Sequence, residues 1–182
     1  LAFALYLFIE RMVVLTKATK EDKTFMNRIR DYIKEGKIDS AVKLCQRTDT
    51  PSARMIEKGI SRIGRPMQDV QVAIENVGNL EVSTLEKGLV LMATIAAGAP
   101  MLGFLGTVLG MIAAFDAIEV AGDISPNIVA GGMKVALITT VGGLIVAIIL
   151  QFFYNYIVSK IDSIVLSMED ASISLVDLVV KY

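Results

Sequence analysis

The sequence contains no histidine and a single cysteine. Without histidine the chain lacks the commonest metal ligand and the usual general base near neutral pH. The one cysteine, Cys45, cannot form an internal disulfide, and a lone thiol with no histidine to activate it is a poor catalytic candidate. It stands in a charged stretch and reads as a small, semi-buried residue. The formal net charge is only −1, so no global field points to a nucleic-acid partner. Charge is also missing locally. No Asp, Glu, Lys or Arg occurs from Gly88 to Phe115, and from Ile128 to Val158 the only charge is Lys134. These absences argue against an enzyme, a metal site, a bound cofactor and a nucleic-acid-binding role.

What is present is apolar surface. Hydrophobic residues make up 54% of the chain, and its mean hydropathy is +0.60. A soluble domain sits nearer 45–50% apolar. The uncharged segment from Gly88 to Phe115 is 28 residues long. At about 1.5 Å per residue it exceeds a bilayer core of roughly 30 Å. Ile128 to Val158 does the same, with Tyr154 and Tyr156 at the far end, where an aromatic belt belongs. Leu1 to Ile9 is also apolar, then Glu10 and Arg11 interrupt, and Met12 to Leu15 follows. That run is too short to span alone. It is expected to be the end of a first transmembrane helix that starts before Leu1. The expected fold class is therefore an all-α membrane protein with three transmembrane helices.

Between the spans the chain has mixed charge and helical punctuation. Gly36 reads as the cap that ends a helix through Asp31–Glu35. Thr50 and Pro51 read as an N-cap and first helical residue, Gly64 closes that helix, and Pro66 opens the next. Val70, Ile74, Val77 and Leu80 form one apolar stripe, with Asp69, Glu75 and Glu81 between them. The Pro66 helix is expected to feed into the second span as one long helix projecting into the cytoplasm, kinked at Pro100. Ser125 and Pro126 read as the start of the third span. Beyond it, Ile161, Ile164, Val165, Met168, Leu175, Val176 and Val179 form a second stripe. This amphipathic helix is expected to continue the third span and pack on the bundle formed by the charged region.

Lys17 to Lys87 holds fourteen Lys and Arg residues, while Ala117 to Asn127 holds none. The positive-inside rule then puts the large middle region and the C-terminus in the cytoplasm, and the 117–127 turn and the N-terminus outside. The expected organisation is the end of a first transmembrane helix at 1–16 and a cytoplasmic helical domain at 17–87. A second span at 88–118, a periplasmic turn at 119–127 and a third span at 128–158 follow. A cytoplasmic amphipathic helix at 159–182 ends the chain. The chain is expected to cross its membrane several times, with membrane lipids as the surroundings.

Three sets of residues inside the spans are candidates for function. Gly98, Gly103, Gly106 and Gly110 lie in the second span, and Gly131, Gly132, Gly142 and Gly143 in the third. Small residues let helix backbones approach closely in lipid, where packing drives association. Gly103, Gly106, Gly110, Gly142 and Gly143 are therefore expected to pack helices, within one chain or between copies. No Lys-Ser/Thr pair follows these glycines, so a phosphate loop is excluded. Thr107 and the pair Thr139–Thr140 are the deepest polar residues. Thr107 lies about ten residues below the outer turn and Thr140 about twelve, so they share nearly one depth. Hydroxyls there suit a proton or ion path. The competing reading is that each hydroxyl bonds the carbonyl four residues back in its own helix. Lys134 is the one charge in a span. It either belongs to the pathway or anchors the helix by reaching toward the outer surface, with Asp116 and Glu119 as candidate partners.

Gly103-Phe-Leu-Gly-Thr-Val-Leu-Gly-Met-Ile112 resembles the GLLGTVxGMI signature of the ExbB/TolQ/MotA family. Val129-Ala-Gly-Gly-Met-Lys-Val-Ala-Leu-Ile-Thr-Thr-Val-Gly-Gly-Leu-Ile-Val-Ala147 resembles that family's third-span motif, and Ile9-Glu-Arg11 resembles the end of its first span. The small charged domain fits the ExbB branch better than MotA. The resemblance implies a bacterial inner-membrane address and a homo-oligomer, a pentamer, whose second and third spans line a central pore. It implies that two helices of an ExbD-like single-span partner occupy that pore and that an Asp on the partner carries protons. The partner would turn inside the ring, and the work would pass to a TonB-like protein that opens outer-membrane transporters. Thr107 and Thr140 match the family's pore threonines. One departure stands out. Many ExbB proteins carry Glu where this chain has Val135, so the ring would supply hydroxyls and the partner the only deep carboxylate. A TolQ-, MotA- or gliding-type stator subunit and a passive membrane scaffold are the alternatives.

Overall fold

The computed structural model describes residues 2–19, 24–122 and 125–180, and these form seven helices. They are α1 (Ala2–Ala18), α2 (Phe25–Lys34), α3 (Ile38–Thr48), α4 (Pro51–Ile60), α5 (Met67–Glu86), α6 (Leu89–Ala121) and α7 (Pro126–Val180). Leu1, Asp123 and the C-terminal Lys181 and Tyr182 lie outside the described residues.

The local signals act where the residues place them. Gly36 takes φ +70°, and two backbone bonds, Gly36 N–H to Ile33 O and Lys37 N–H to Tyr32 O, close the end of α2. That is a Schellman cap, which needs the left-handed conformation glycine adopts at no steric cost. Thr50 caps α4 by accepting from the Ala53 N–H at 3.3 Å, with Pro51 as the first helical residue. Helix α4 itself ends at Ile60, and a turn carries the chain on to Gly64.

Two boundaries differ from expectation. The Pro66 helix does not run on into the apolar segment. Lys87 is extended at ψ 126°, and Gly88 follows at φ +88°, a conformation costly for any residue with a Cβ. The sequence between Glu86 and Leu89 has no proline to announce this break. The apolar helix α6 then continues through Pro100 to Ala121, three residues beyond the expected end of the span. The connection to α7 is correspondingly shorter than expected.

Two stretches, 67–121 and 126–180, contain segments long and apolar enough to cross a membrane. The chain divides into two compact units. One holds residues 1–8 and 88–156, the other residues 9–87 and 157–182. In the first, Ala4, Ala96 and Leu150 are buried together, with Ile95, Val146 and Phe153 against them. Phe8 stacks on Phe153 with ring centroids 4.2 Å apart.

In the second unit, Ile157, Ile161, Ile164, Met168, Ala171 and Leu175 of α7 are all buried. Their alternating spacings of four and three make one narrow seam, of the kind that packs helices side by side. It includes Ile157 and Ala171, which the expected stripe lacked. Val165, Val176 and Val179 are only half-buried. The α5 stripe also needs correction. Val70 and Ile74 are buried, but Leu80 is 68% exposed. The buried line passes instead through Glu81 to Leu85. Glu81 occupies it because Arg54 meets both its carboxylate oxygens, Nε at 2.7 Å and Nη2 at 2.7 Å. Arg54 also bonds Asp49, through its carboxylate at 2.6 Å and its carbonyl at 3.0 Å. This fork-to-fork pairing holds the guanidinium pKa above its usual value, chiefly through the hydrogen bond to Glu81. Cys45 is fully buried rather than semi-buried, and burial pushes its thiol pKa up to about 12. A thiol so placed is inert.

Candidate functional site in the seam between α6 and α7

Within the first unit α6 and α7 lie against each other in opposite directions. Positions 103, 106, 110 and 114 of α6 meet positions 143, 139, 136 and 132 of α7 in turn. The contacts are close enough to exclude side chains. A Cβ built on Gly143 would sit 2.7 Å from the Ala99 carbonyl oxygen and 2.8 Å from Gly103 Cα. One on Gly110 would sit 2.9 Å from Ala136 Cβ. One on Gly106 would collide with the side chain of Thr139, and one on Gly132 with Ala114 Cβ. Such distances let backbone carbonyls of one helix reach side chains of the other.

That reach builds an oxygen cluster. The hydroxyls of Thr107 and Thr140 touch directly. Each also lies within reach of the same two carbonyl oxygens, Gly103 O on α6 and Ala136 O on α7. The separations are 3.4 Å to both for Thr107 and 3.2 Å to both for Thr140. For each threonine, one of these carbonyls is the acceptor four residues back in its own helix, and the other belongs to the facing helix. The two readings open for these hydroxyls are therefore not exclusive here. Two hydroxyls carry two protons for four oxygens, so several donor arrangements are available. Neither residue is fully buried. Thr139 is on the other edge of the seam, facing Gly106, and donates to Ala136 O at 2.8 Å.

The sequence that carries this pairing has relatives among known proteins. Residues 47–170 match the model of the MotA/TolQ/ExbB proton channel family. The chain belongs to this family. It is 34% identical, over 88% of its length, to an ExbB homologue named for biopolymer transport in Methanothermobacter thermautotrophicus. It is 40% identical over 56% of its length to the biopolymer transport protein ExbB of Xanthomonas campestris. It is 30% identical over 87% of its length to the Tol-Pal system protein TolQ of Haemophilus influenzae. The chain spans 58% of the Methanothermobacter relative and 40% of the Xanthomonas protein.

Set beside this membership, the other candidate residues fall into place unevenly. Gly103, Gly106, Gly110 and Gly143 lie in the seam. Gly142 does not, since a Cβ there would meet nothing within 4 Å in the chain. With Thr139 and Val146 it borders a shallow groove on one side of the helix pair. Lys134 is not brought to the threonines. It is exposed on α7, and among the described residues no ion pair joins it to Asp116 or Glu119. The expected pairing within one chain is therefore absent. The sequence reading missed Ala99, Ala114 and Ala136 as seam residues, and it noted Gly132 among the small residues of the third span without singling it out for packing. Their signal was available. Small residues recur at 99, 103, 110 and 114 on α6 and at 132, 136 and 143 on α7, which is the helical period.

Proposed function

We propose that this chain is the ring-forming, ion-conducting subunit of a proton-driven motor in a bacterial inner membrane. It would cross the membrane three times, N-terminus out and C-terminus in, as a pentamer around two helices of an ExbD-like partner. The motor would energise outer-membrane transport through a TonB-like protein. The observation that carries the reading is the Thr107–Thr140 hydroxyl pair, held on two backbone carbonyls between the two most apolar helices. A hydroxyl both accepts and donates, so it can pass a proton on without becoming charged. That matters in hydrocarbon, where an ionised group is expensive. Neither span carries a carboxylate at this depth, and Val135 stands where many ExbB proteins have Glu. The titrating acid then comes from the partner, and the ring provides hydroxyls against which it loads and unloads. Each charge crossing 100 mV releases about 2.3 kcal/mol, so a few protons suffice to drive a conformational step.

The similarity to TolQ over 87% of the chain favours a second reading equally well, a stator of the Tol-Pal kind with the same ring and a different periplasmic partner. A passive scaffold is the third. Substituting Thr140→Val in the full-length protein, expressed to the same level, separates motor from scaffold. Loss of energy-dependent uptake and of proton flux, with Thr140→Ser active, supports conduction through the hydroxyl. Normal flux in Thr140→Val refutes it. Purification of the complex from native membranes then identifies the partner and separates the TonB from the Tol reading.

A further inference from the structure

Among the described residues no ion pair involves Lys134. It is exposed on α7 between Met133 and Val135, which are exposed and apolar. A charged residue inside a span is costly, and such residues are paired or line a wet cavity. The seam fixes its depth. Gly110 meets Ala136 and Gly132 meets Ala114, so Lys134 is level with Ile112. Asp116 lies four residues, about 6 Å, nearer the outer end of α6, and Glu119 about 10 Å nearer. Asp116 is thus within the vertical reach of a lysine side chain.

Rotation explains why the two do not pair within one chain. Residues of an α-helix advance by about 100° each. Lys134 is two residues from both Gly132 and Ala136, which face α6, so it points almost directly away from α6. Asp116 is two residues past Ala114, which faces α7, so it points away from α7. The two-helix layer therefore carries a positive charge on its α7 side and negative charges, Asp116 and Glu119, on its α6 side. Opposite signs on opposite sides are self-complementary for a head-to-tail arrangement, in which α7 of one copy lies against α6 of the next.

Building on the ring proposed above, we infer that Lys134 of each copy pairs with Asp116 of the adjacent copy. The result is a belt of inter-subunit ion pairs toward the outer end of the span helices. It fixes which side of one copy meets which side of the next.

The test is a charge exchange in the full-length protein in membranes, read as oligomer recovered in mild detergent. Lys134→Glu alone and Asp116→Lys alone are each expected to lower the recovered oligomer at least tenfold. The double variant is expected to return it to within twofold of the unsubstituted protein. Should the double variant simply fail to fold, a second measurement decides. Two differently tagged chains, one Lys134→Cys and one Asp116→Cys in a Cys45→Ala background, are co-expressed and treated with a short bis-maleimide. A cross-linked pair carrying both tags is expected, and chains that both carry Lys134→Cys should give none. A lipid phosphate holding Lys134 would leave Asp116→Lys normal and the double variant unrescued. A carboxylate of a different protein in the pore would make the Lys134→Glu effect vanish when that protein is not expressed. Either result overturns the inference, as does an intact oligomer with neither rescue nor mixed cross-link, and all three leave the proposed function standing. Absence of any oligomer in the unsubstituted protein overturns both.

Discussion

Gly142 and Gly143 are adjacent in sequence and equally small, yet the structure gives them opposite sensitivities. A Cβ on Gly143 meets the Ala99 carbonyl oxygen at 2.7 Å and Gly103 Cα at 2.8 Å. Both are backbone atoms, so no rotamer change relieves the clash. Restoring an ordinary contact of 3.4 Å requires α6 and α7 to part by roughly 0.7 Å at this level, by difference from the 2.7 Å contact. One turn away, Thr140 holds Gly103 O at 3.2 Å, and the same displacement stretches that bond toward 3.9 Å, beyond hydrogen-bonding range. Over-packing of this kind costs about 1–3 kcal/mol. For a chain of this size each kcal/mol lowers Tm by roughly 2–4 °C. Gly143→Ala is therefore expected to lower Tm by about 4–8 °C, for a cost near the middle of that range, and to cut proton flux in proteoliposomes. Gly142→Ala meets open space within the chain and is expected to leave the seam, and so the Thr107–Thr140 contact, intact. Thermal unfolding in detergent and flux, measured on both variants at equal reconstitution, check this. Equal Tm values for the two alanine variants, or a Gly143→Ala protein with unchanged Tm and flux, would refute the argument from backbone contact.

Gly106→Leu is expected to force the helices apart at Thr139 and abolish assembly; an intact oligomer of that variant on native gels would count against the packing argument. Removing Arg54 strands Glu81 on the buried line of α5. Because Arg54 is itself partly exposed, the cost of Arg54→Ala is discounted to about 1–2 kcal/mol, visible as a lower midpoint in chemical denaturation, and a midpoint equal to the unsubstituted protein would show the pair to be idle. Gly88→Val places a β-branched residue at φ +88° and is expected to destabilise by about 1–3 kcal/mol, read as faster proteolysis near Lys87.

Much of the helix inventory was legible because it rests on local chemistry. Thr50–Pro51, Ser125–Pro126 and Gly36 act through bonds and φ restrictions within a few residues, so the sequence alone determined them. The apolar lengths of the two candidate spans are likewise a property of the chain. The motif carrying Thr107 and Thr140 was visible as residue types, and so was their common depth. What only the tertiary structure decided depends on rotation and approach between elements. Leu80 and Glu81 are one position apart, and the presence of Arg54 on α4, twenty-seven residues away, settles which of them turns inward. Gly142 and Gly143 differ only by 100° of helix rotation, and that angle selects the one that meets α6. The Thr107 and Thr140 hydroxyls share two carbonyls because glycines at 103 and 143 let the backbones close, a distance no single helix encodes. Lys134 was readable as a charge in an apolar run. That it points away from the acids nearest to it in depth is a fact of packing.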